Sequence, residues 1–437
     1  MERLLGSESH ATDGGDMIVG VPTALGDETR VALTPGVAQA LLAGDHEVLV
    51  QTGAGERAGW SEEDYREVGC EIVESRPAVL DRADVVFEVN ALGGVESPDP
   101  DQYREGQVVV GMLGPFDLDA KTTQTLADRT ITAFALELVP RISRAQSMDA
   151  NSSMANVAGY KAMVRAADAL DRMVPMQMTA AGTVHPADVF VIGAGVAGLQ
   201  AISTADRLGA SVSAYDIRPE AQEEITSVGA EFVELDVHAE DASDEEGHAT
   251  EQDEAFYRKQ REQLGAVVAE SDVVITTAAV ASGKAPRLVT GDAIANMDDG
   301  SVVVDLAAGG GGNCEPTVPD ERVDHHGVTV LGPTDLARTV PRTASELYAN
   351  NQLNFLENIL EEGQLVIDTD DEIVDSTLLT HRGDVRNPHR EDESSTADEA
   401  TTTDGDTGTD EPAEIDDESE QRDGPDENEN ADGGESR

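Results

Sequence analysis

Short apolar runs alternate with helical patterns along the first part of the chain. The strand-like runs are MIVGVP from Met17, EVLVQTGAG, ADVVFEV, QVVVGML and ITAFALELV. Apolar positions at helical spacing over 37–42 and after Ser61 lie between them. Because short strands that alternate with helices are typical of a parallel, doubly wound sheet, we expect a first α/β domain over 17–150. Residues 1–16 are predicted to form a polar extension in front of it.

A second series of strand-like runs follows a long helical pattern over 152–173. The runs are DVFVIGAG, ASVSAYD, AEFVELD, SDVVITTA, SVVVDLA and GVTVLG. The same reasoning predicts a second α/β domain over 151–339. The fold class that we expect is therefore two Rossmann-like, doubly wound parallel-sheet domains with a cleft between them.

The last part of the chain is predicted to divide in two. A helical pattern over 343–360 and the strand-like QLVIDTDDEIV should return to the first domain, which residues 340–390 would complete. Residues 391–437 are mainly Asp, Glu, Ser, Thr and Gly, a composition that buries too little apolar area to fold. The sequence therefore predicts a disordered acidic tail. The polar, acidic stretch over 236–254 is expected to be an exposed, mobile loop.

The charge of the chain narrows its possible partners and environment. It has 88 acidic and 29 basic residues, with a net charge of −59. The tail's 20 acids and 2 arginines contribute −18, which leaves −41 on the other 390 residues. Acidity spread along the chain, with only four lysines, favours adaptation to high salt over a dedicated acidic binding surface. Nucleic acid is not an expected partner, because phosphate binding needs clustered Lys and Arg.

Cysteine usage and hydropathy point to the cytoplasm. Cys70 and Cys314 lie far apart without metal-ligand spacing, so we expect neither a metal site nor a disulfide framework. The N-terminal segment lacks the apolar region of a signal peptide, and no window approaches 18 uncharged apolar residues. If the chain works at a membrane, a partner is expected to hold it there.

The sharpest local motif is DVFVIGAGVAGLQAI, in which a strand leads through Gly193, Gly195 and Gly198 into a helix. In dinucleotide-binding turns the first glycine permits a tight turn, the second lets the pyrophosphate approach and the third lets the helix pack closely. Asp216 stands 18 residues after Gly198, at the end of the next strand-like run. Its carboxylate can accept hydrogen bonds from ribose hydroxyls, which favours NAD over NADP, whereas nearby Arg218 could serve a 2′-phosphate.

A polar loop, RISRAQSMDANSS, follows the last strand-like run of the first domain, where open α/β sheets bind ligands. Its side chains include the donors and acceptors that a nicotinamide carboxamide and ribose need. The candidate ligands are Arg141, Arg144, Gln146, Asp149 and Ser152. A capped start of the following helix explains the composition equally well, since Asp149 and Ser152 are both good N-cap residues.

Taken in order, these motifs resemble a known family. RISRAQSMD, NVAGYKA, MQMTAAGTVHPA, VIGAGVAGLQAI, ITTA with GKAP, and VVDLAAGGGGNCE are similar to motifs of the NAD(H)-binding component of proton-translocating transhydrogenases. The resemblance covers roughly 17–389. It implies a homodimer on the cytoplasmic side, held peripherally at the inner face of the cell membrane by its partner. It also implies hydride exchange with NADP(H), which a separate subunit binds, and a membrane-spanning partner that translocates protons.

The resemblance also implies roles for individual residues. Arg141, Gln146, Asp149 and Ser152 would contact the nicotinamide end. The pyrophosphate and adenosine end would be held by Val196, Ala197, Gly198, Asp216, Ile217 and Arg218. Gly247, Gln260 and Ala279 fall on further nucleotide-contacting positions. The chain departs from the family pattern where Gly247, His248 and Ala249 replace the usual Gly-Tyr-Ala, and where Ala279 replaces a common leucine.

Hydride transfer between two nicotinamide rings needs few catalytic groups. No proton accompanies the hydride at the reacting carbons, so neither a general acid nor a general base is required. The protein must instead hold two ring carbons roughly 3–3.5 Å apart and exclude water, while the cofactors supply the chemistry. Our hypothesis is that Gln146 bridges the two nucleotides.

Two alternatives remain open at this point. Alanine dehydrogenases share the fold and the RVALTP string, but they need a lysine and a histidine near the cleft of the first domain. Here Glu88 stands where the lysine is expected, VVVGMLGPF contains no histidine, and only Arg30 remains. The other alternative is a non-catalytic NAD(H)-binding subunit, which would retain the same binding residues.

Overall fold

Two β-sheets organise the chain. The computed structural model describes residues 17–92, 99–237, 254–278 and 285–386. Its strands are β1 (Ile18–Val21), β2 (Glu47–Gln51), β3 (Glu71–Val73), β4 (Val85–Glu88), β5 (Val108–Gly111), β6 (Thr132–Ala135), β7 (Gln177–Thr179), β8 (Gly182–Val184), β9 (Asp188–Ile192), β10 (Ser211–Tyr215), β11 (Glu231–Phe232), β12 (Val273–Thr276), β13 (Val302–Asp305), β14 (Arg322–His325), β15 (Val328–Leu331), β16 (Leu360–Glu361), β17 (Gln364–Leu365), β18 (Leu378–His381) and β19 (Asp384–Val385). Its α-helices are α1 (Pro35–Ala43), α2 (Glu62–Val68), α3 (Arg76–Leu80), α4 (Ala120–Asp128), α5 (Ala150–Ala169), α6 (Val196–Arg207), α7 (Ala221–Ser227), α8 (Glu254–Ala269), α9 (Gly291–Ala295), α10 (Pro341–Asn358) and α11 (Glu372–Thr377).

The first sheet has the strand order β19-β18-β6-β5-β4-β1-β2-β3. Strands β1 to β6 are parallel, while β18 runs antiparallel to β6 and β19 antiparallel to β18. Alternate residues enter two cores, with Val85 and Phe87 in one and Val86 in the other. Burial on both faces explains why these strands read as continuous apolar runs.

The second sheet has the order β11-β10-β9-β12-β13-β15-β14 and is parallel except for its edge strand β14. It too lies between two cores, since Val189 and Val191 enter one and Phe190 the other. The strand order reverses at β9, between β10 and β12. Such a switch point opens a crevice beyond the carboxyl ends of the strands, where ligands bind. Both sheets confirm the predicted fold class.

Helix α5 connects the two sheets. Met154 and Val157 belong to a core of the first sheet, and Ala162 belongs to a core of the second. The helix packs against both α6 and α10. A Cβ on Gly159 would lie 2.1 Å from the carbonyl oxygen of Ala197, so only glycine fits where α5 meets the start of α6. This explains the glycine in the NVAGYKA motif.

The C-terminal part differs from its prediction. QLVIDTDDEIV is not one strand, because only Gln364–Leu365 is extended and Glu372–Thr377 forms α11. Asp371 starts that helix by accepting hydrogen bonds from the backbone N–H groups of Ile373 and Val374. The strand that joins the first sheet is β18, which follows α11.

Several predictions concern residues that the structure does not describe. The N-terminal extension, the acidic tail and most of the stretch over 236–254 lie outside the described residues. The division into domains at the expected residues stays a prediction. Within the described ranges, no helix combines the length and apolar character needed to cross a membrane.

Candidate functional site

A cleft of about 300 Å³ opens beyond the carboxyl ends of β9, β10 and β12. Its walls come from the β9–α6 turn, the residues after β10, the first turns of α8 and the end of β12. The start of α5 and Arg141 close it from the other side. The structure thus brings the two motifs singled out in the sequence to one place, at the switch point of the second sheet.

The three glycines of the β9–α6 turn differ in backbone conformation and surroundings. Gly193 has a φ of +98°, and a Cβ there would lie 2.6 Å from Oγ1 of Thr277. A Cβ on Gly198 would lie 1.9 Å from the carbonyl oxygen of Gly193, so this residue lies against the turn rather than lining the cleft. A Cβ on Gly195 would meet nothing within 4 Å, and this residue lines the cleft together with Val196 and Ala197. Open space at the second glycine, at the N-terminus of α6, fits a pyrophosphate.

Asp216 ties the glycine turn to the following loop. Its buried carboxylate accepts hydrogen bonds from the backbone N–H of Ala194 at 2.7 Å and from Nε and Nη2 of Arg218 at 3.0 and 3.1 Å. Burial alone would lower the pKa of Arg218, but the hydrogen bond and charge of Asp216 raise it. Both side chains line the cleft beside Ile217. The predicted NAD-selecting carboxylate is therefore also the counter-ion of the predicted phosphate-binding arginine.

Gln260 and Tyr215 form a buried pair in the wall of the cleft. Nε2 of Gln260 donates to the Tyr215 hydroxyl at 2.9 Å. Oε1 of Gln260 is buried and has no hydrogen-bond partner among the described residues. Burial raises the pKa of Tyr215 to about 12, so the phenol stays neutral near pH 7. A free buried acceptor suits a bound donor such as a hydroxyl or an amino group.

Tyr215 lines the cleft but was not among the predicted site residues. Its signal was its position, directly before Asp216 at the end of β10, where side chains of a parallel sheet face a crevice. Thr277 was also missed as an individual residue. Its Oγ1 donates to the carbonyl oxygen of Gly193 at 3.0 Å and so braces the glycine turn from β12.

Asn313 gives the GGGGNCE motif a structural role. Its side chain is fully buried, and Oδ1 accepts from the Ala278 backbone N–H at 3.0 Å. Its Nδ2 donates to the carbonyl oxygens of Ala278 and Pro286 at 2.9 and 2.8 Å. Ala278 and Pro286 both line the cleft. One amide therefore holds two residues of the cleft wall from a position 35 and 27 residues further along the chain.

In the 141–153 loop only part of the predicted set lines the cleft. Arg141 and Ser152 do so, together with Asn151, which the sequence analysis had not selected. Asp149 instead caps α5, because its carboxylate accepts from the backbone N–H of Ser152 at 2.8 Å and from its Oγ at 2.5 Å. For Asp149 the alternative interpretation, a capped helix start, describes its contacts.

Two further predicted ligands do not line the cleft. Gln146 is exposed at the start of a 3₁₀ turn, Gln146–Met148. Arg144 points to the C-terminal segments, where it lies 2.8 Å from the carboxylate of Asp371 and donates to Oδ1 of Asn358 at 3.3 Å. Gly247 and Ala279 lie outside the described residues.

A second cleft, of about 1200 Å³, lies beside the carboxyl ends of β4 and β5 and shares Asn151 with the first. Asn90 lines it, whereas Glu88 does not. Glu88 is buried against Arg76 and accepts from the Tyr103 hydroxyl at 2.8 Å. The expectation that Glu88 replaces a cleft lysine was therefore wrong in position, because this side chain points into the core.

Arg30 is likewise not part of the second cleft. It is buried and forms ion pairs with Glu28 and Asp335, both at 2.7 Å. Among the described residues that line this cleft there is neither a lysine nor a histidine. The lysine and the histidine that the alanine dehydrogenase alternative requires are therefore not among the described residues that line this cleft.

Comparison with known proteins places the chain in a family. The sequence profile of the alanine dehydrogenase/PNT N-terminal domain matches residues 20–158, and that of the C-terminal domain matches residues 162–388. The chain belongs to the alanine dehydrogenase/PNT family. Both motif-bearing segments of the cleft lie inside the matched regions of this family member.

Similar members of the family carry transhydrogenase names. NAD(P) transhydrogenase subunit alpha of Cereibacter sphaeroides is 40% identical over 377 residues, which are 85% of this chain and 71% of that protein. NAD(P) transhydrogenase subunit alpha of Haemophilus influenzae is 40% identical over 372 residues, which are 84% of this chain and 71% of that protein. The crystal structure of transhydrogenase from Sinorhizobium meliloti matches with a TM-score of 0.74 and 39% identity, over 84% of this chain and 99% of that one.

Proposed function

We propose that this chain is the NAD(H)-binding alpha subunit of a proton-translocating NAD(P) transhydrogenase. It exchanges a hydride between NAD(H) in the first cleft and NADP(H) on a partner subunit. The observation that carries the proposal is that Arg141 and Ser152 share one cleft with the Gly195 turn. A dinucleotide site and a polar, nicotinamide-holding loop thus face the same space.

The described side chains of the cleft fit this cofactor. Open space at Gly195 and the N-terminus of α6 suit a pyrophosphate. The free acceptor Oε1 of Gln260 suits a donor on the adenosine half. Asp216 already neutralises Arg218, which favours an uncharged ribose 2′-hydroxyl over a 2′-phosphate. Arg141 and Ser152, which line the other side of the cleft, would hold the nicotinamide end.

The reaction requires the protein to position the two nicotinamide rings, and it does not require proton transfer by a side chain. Bound NAD(H) supplies or accepts the hydride, so two electrons and one hydrogen nucleus pass together and no proton is released at the ring carbons. The residues of the cleft bind the nucleotide, orient one ring face and exclude water. Tyr215 is neutral because its pKa is raised to about 12, which fits a site that performs no acid–base catalysis.

The partners and location of the subunit follow from the same proposal. A membrane-spanning, NADP(H)-binding partner couples the transfer to proton movement and holds this chain at the cytoplasmic face of the membrane. A homodimer is supported by the β7–β8 hairpin, in which every strand residue is exposed and Met178 is 75% exposed. Sedimentation analysis should give a smaller species for Met178→Glu than for the wild type. Equal sizes would argue against this contact.

The decisive test is reconstitution of the chain with the candidate partner. Reduction of an NAD analogue by NADPH should require both components, and L-alanine should not support NADH production by this chain. Alanine-dependent NADH formation would favour the dehydrogenase alternative. Tight NADH binding without any hydride exchange in the reconstituted complex would favour the non-catalytic subunit.

A further inference from the structure

One face of α10 holds the turn that carries Gln146. The carbonyl oxygen of Ser147 accepts from Nδ2 of Asn351 at 2.9 Å and from Nδ2 of Asn354 at 3.3 Å. One helical turn further, Asn358 accepts from Arg144. Residues at this spacing share a helix face, so three asparagines of α10 contact the 144–147 segment in succession.

The turn does not restrain the Gln146 side chain through direct hydrogen bonds. Ala145 and Met148 are buried on either side, and the Met148 backbone N–H donates to the Ala145 carbonyl oxygen at 2.8 Å. Gln146 and Ser147 are exposed between these anchors. No described residue forms a hydrogen bond with the Gln146 side chain, so the direction of that side chain depends on the backbone of the turn. Helix α10 restrains that backbone at the Ser147 carbonyl group, which accepts hydrogen bonds from the side-chain amides of Asn351 and Asn354.

We propose that Asn351 and Asn354 are positioning residues for hydride transfer, which act on Gln146 through the Ser147 carbonyl group. The inference rests on the proposed function, in which Gln146 bridges the two nucleotides. Transfer is sensitive to small displacements, because a misplacement of about 1 Å can cost roughly a hundredfold in rate. NAD(H) binding depends mainly on the Gly195 turn and Asp216, which α10 does not touch through these asparagines.

Asn351 is suited to a sharp test. Its side chain is buried, its Nδ2 is used on Ser147, and its Oδ1 has no partner among the described residues. Asn351→Asp therefore keeps the shape of the side chain, removes the donor and places a carboxylate against a carbonyl oxygen. Asn354→Asp removes the second donor to Ser147 at a partly exposed position, together with a bond of the same Nδ2 to the Asn350 carbonyl oxygen inside the helix at 2.6 Å. It gives a second variant if the buried carboxylate impairs folding.

Asn350→Asp is the matched control. Asn350 is the neighbouring residue of the same helix, but it is exposed and its Nδ2 donates to the Glu346 carbonyl oxygen inside the helix. In the reconstituted complex, kcat for NADPH-dependent reduction of the NAD analogue should fall at least about tenfold for Asn351→Asp and Asn354→Asp. Their Kd for NADH should stay within about twofold of the wild type. Asn350→Asp should change neither quantity.

A double-variant cycle with Gln146→Asn distinguishes the positioning role of the α10 asparagines from the bridging role of Gln146. If α10 acts through Gln146, the combined variants should lose little more rate than Gln146→Asn alone. A normal kcat in both Asn351→Asp and Asn354→Asp, with Gln146→Asn impaired, would overturn this inference and leave the proposed function standing. A normal kcat in Gln146→Asn would instead remove the bridging role itself. Loss of NADH affinity in parallel with kcat would show a general structural effect and would also overturn the inference.

Discussion

In the proposed function, Asp216 is the residue on which the choice of nucleotide should depend most directly. It carries the charge next to the expected ribose position, and it keeps Arg218 occupied. Hydrogen bonds to a charged group contribute roughly 1.5–3 kcal/mol. Both the affinity for NADH and the rejection of NADPH should therefore respond to the same side chain.

We expect Asp216→Asn to weaken NADH binding about tenfold or more and to improve NADPH binding, because Arg218 loses its ion pair with Asp216, which competes with a 2′-phosphate. Fluorescence titration of the chain with each reduced nucleotide measures both constants. Adding Arg218→Gln to this variant should abolish the gain for NADPH. An Asp216→Asn protein that still rejects NADPH as strongly as the wild type would place nucleotide selection elsewhere.

Glu137 makes the stability of the chain sensitive to pH. Its carboxylate accepts from the backbone N–H groups of Leu113 and Gly114 at 3.1 and 2.7 Å. Burial raises its pKa to about 7 in spite of these hydrogen bonds, from an ordinary value of 4.5. A raised pKa means that the fold favours the protonated form. The stabilising contribution is therefore complete below the unfolded value and is lost as the pH rises through about 7.

Replacing Glu137 with Gln should flatten this dependence, since the amide keeps an acceptor but cannot ionise. Urea midpoints at about pH 5.5 and about pH 8.5 give the comparison, and the wild type should lose more stability between them than Glu137→Gln. The other carboxylates are the same in both proteins, so their contributions to the pH dependence of stability cancel in the comparison. Parallel pH profiles would mean that Glu137 stays ionised throughout this range.

At the scale of elements, the glycines of the β9–α6 turn should affect ligand binding and protein stability separately. Gly195 and Gly198 belong to one motif, yet their surroundings differ. A Cβ on Gly195 meets open space, whereas one on Gly198 overlaps the Gly193 carbonyl group. The second glycine therefore leaves room for a ligand, and the third leaves room for the turn itself.

Alanine at the two positions should give opposite phenotypes. Gly195→Ala should fold with nearly unchanged stability but bind NADH at least about tenfold more weakly, because the methyl group occupies the approach of the pyrophosphate. Gly198→Ala should lose roughly 1–3 kcal/mol of stability, because the backbone must shift. Thermal melts and NADH titrations of both variants measure these effects. Equal stability losses in the two variants would show that Gly195 is packed as tightly as Gly198 in the folded protein.

Local patterns made most of these elements predictable. The central strands of both sheets are buried on two faces, so each reads as an apolar run, and the glycine turn is recognisable from a few adjacent residues. The exceptions depend on distant or competing contacts. The QLVIDTDDEIV stretch was misread because capping by Asp371 converts part of it into α11. The direction of Arg144 depends on Asn358, 214 residues away. The partners of Asn313 and Gln260 are distant in the same way, and no sequence period reveals them.

At the scale of the whole molecule, the net charge of −59 opposes folding through repulsion among surface carboxylates. The described ion pairs involve few of the 88 acids, because the chain has only 29 basic residues. Salt shortens the reach of this repulsion to about 3 Å at roughly 1 M. We propose that the chain is adapted to high salt. Residues 1–390 should share this property with residues 391–437, because −41 of the charge lies outside 391–437.

The melting temperature should therefore rise with KCl concentration, both in the full chain and in a variant that ends at residue 390. If the tail acts only by adding charge, the truncated protein should be the more stable of the two at low salt, and the difference should shrink as salt is added. Calorimetry or circular dichroism of both proteins across a KCl series checks this. Comparison with K⁺ replaced by choline separates general screening from binding of a specific cation. A salt dependence that disappears on truncation would place the adaptation in residues 391–437 alone and contradict a role for the carboxylates spread over residues 1–390.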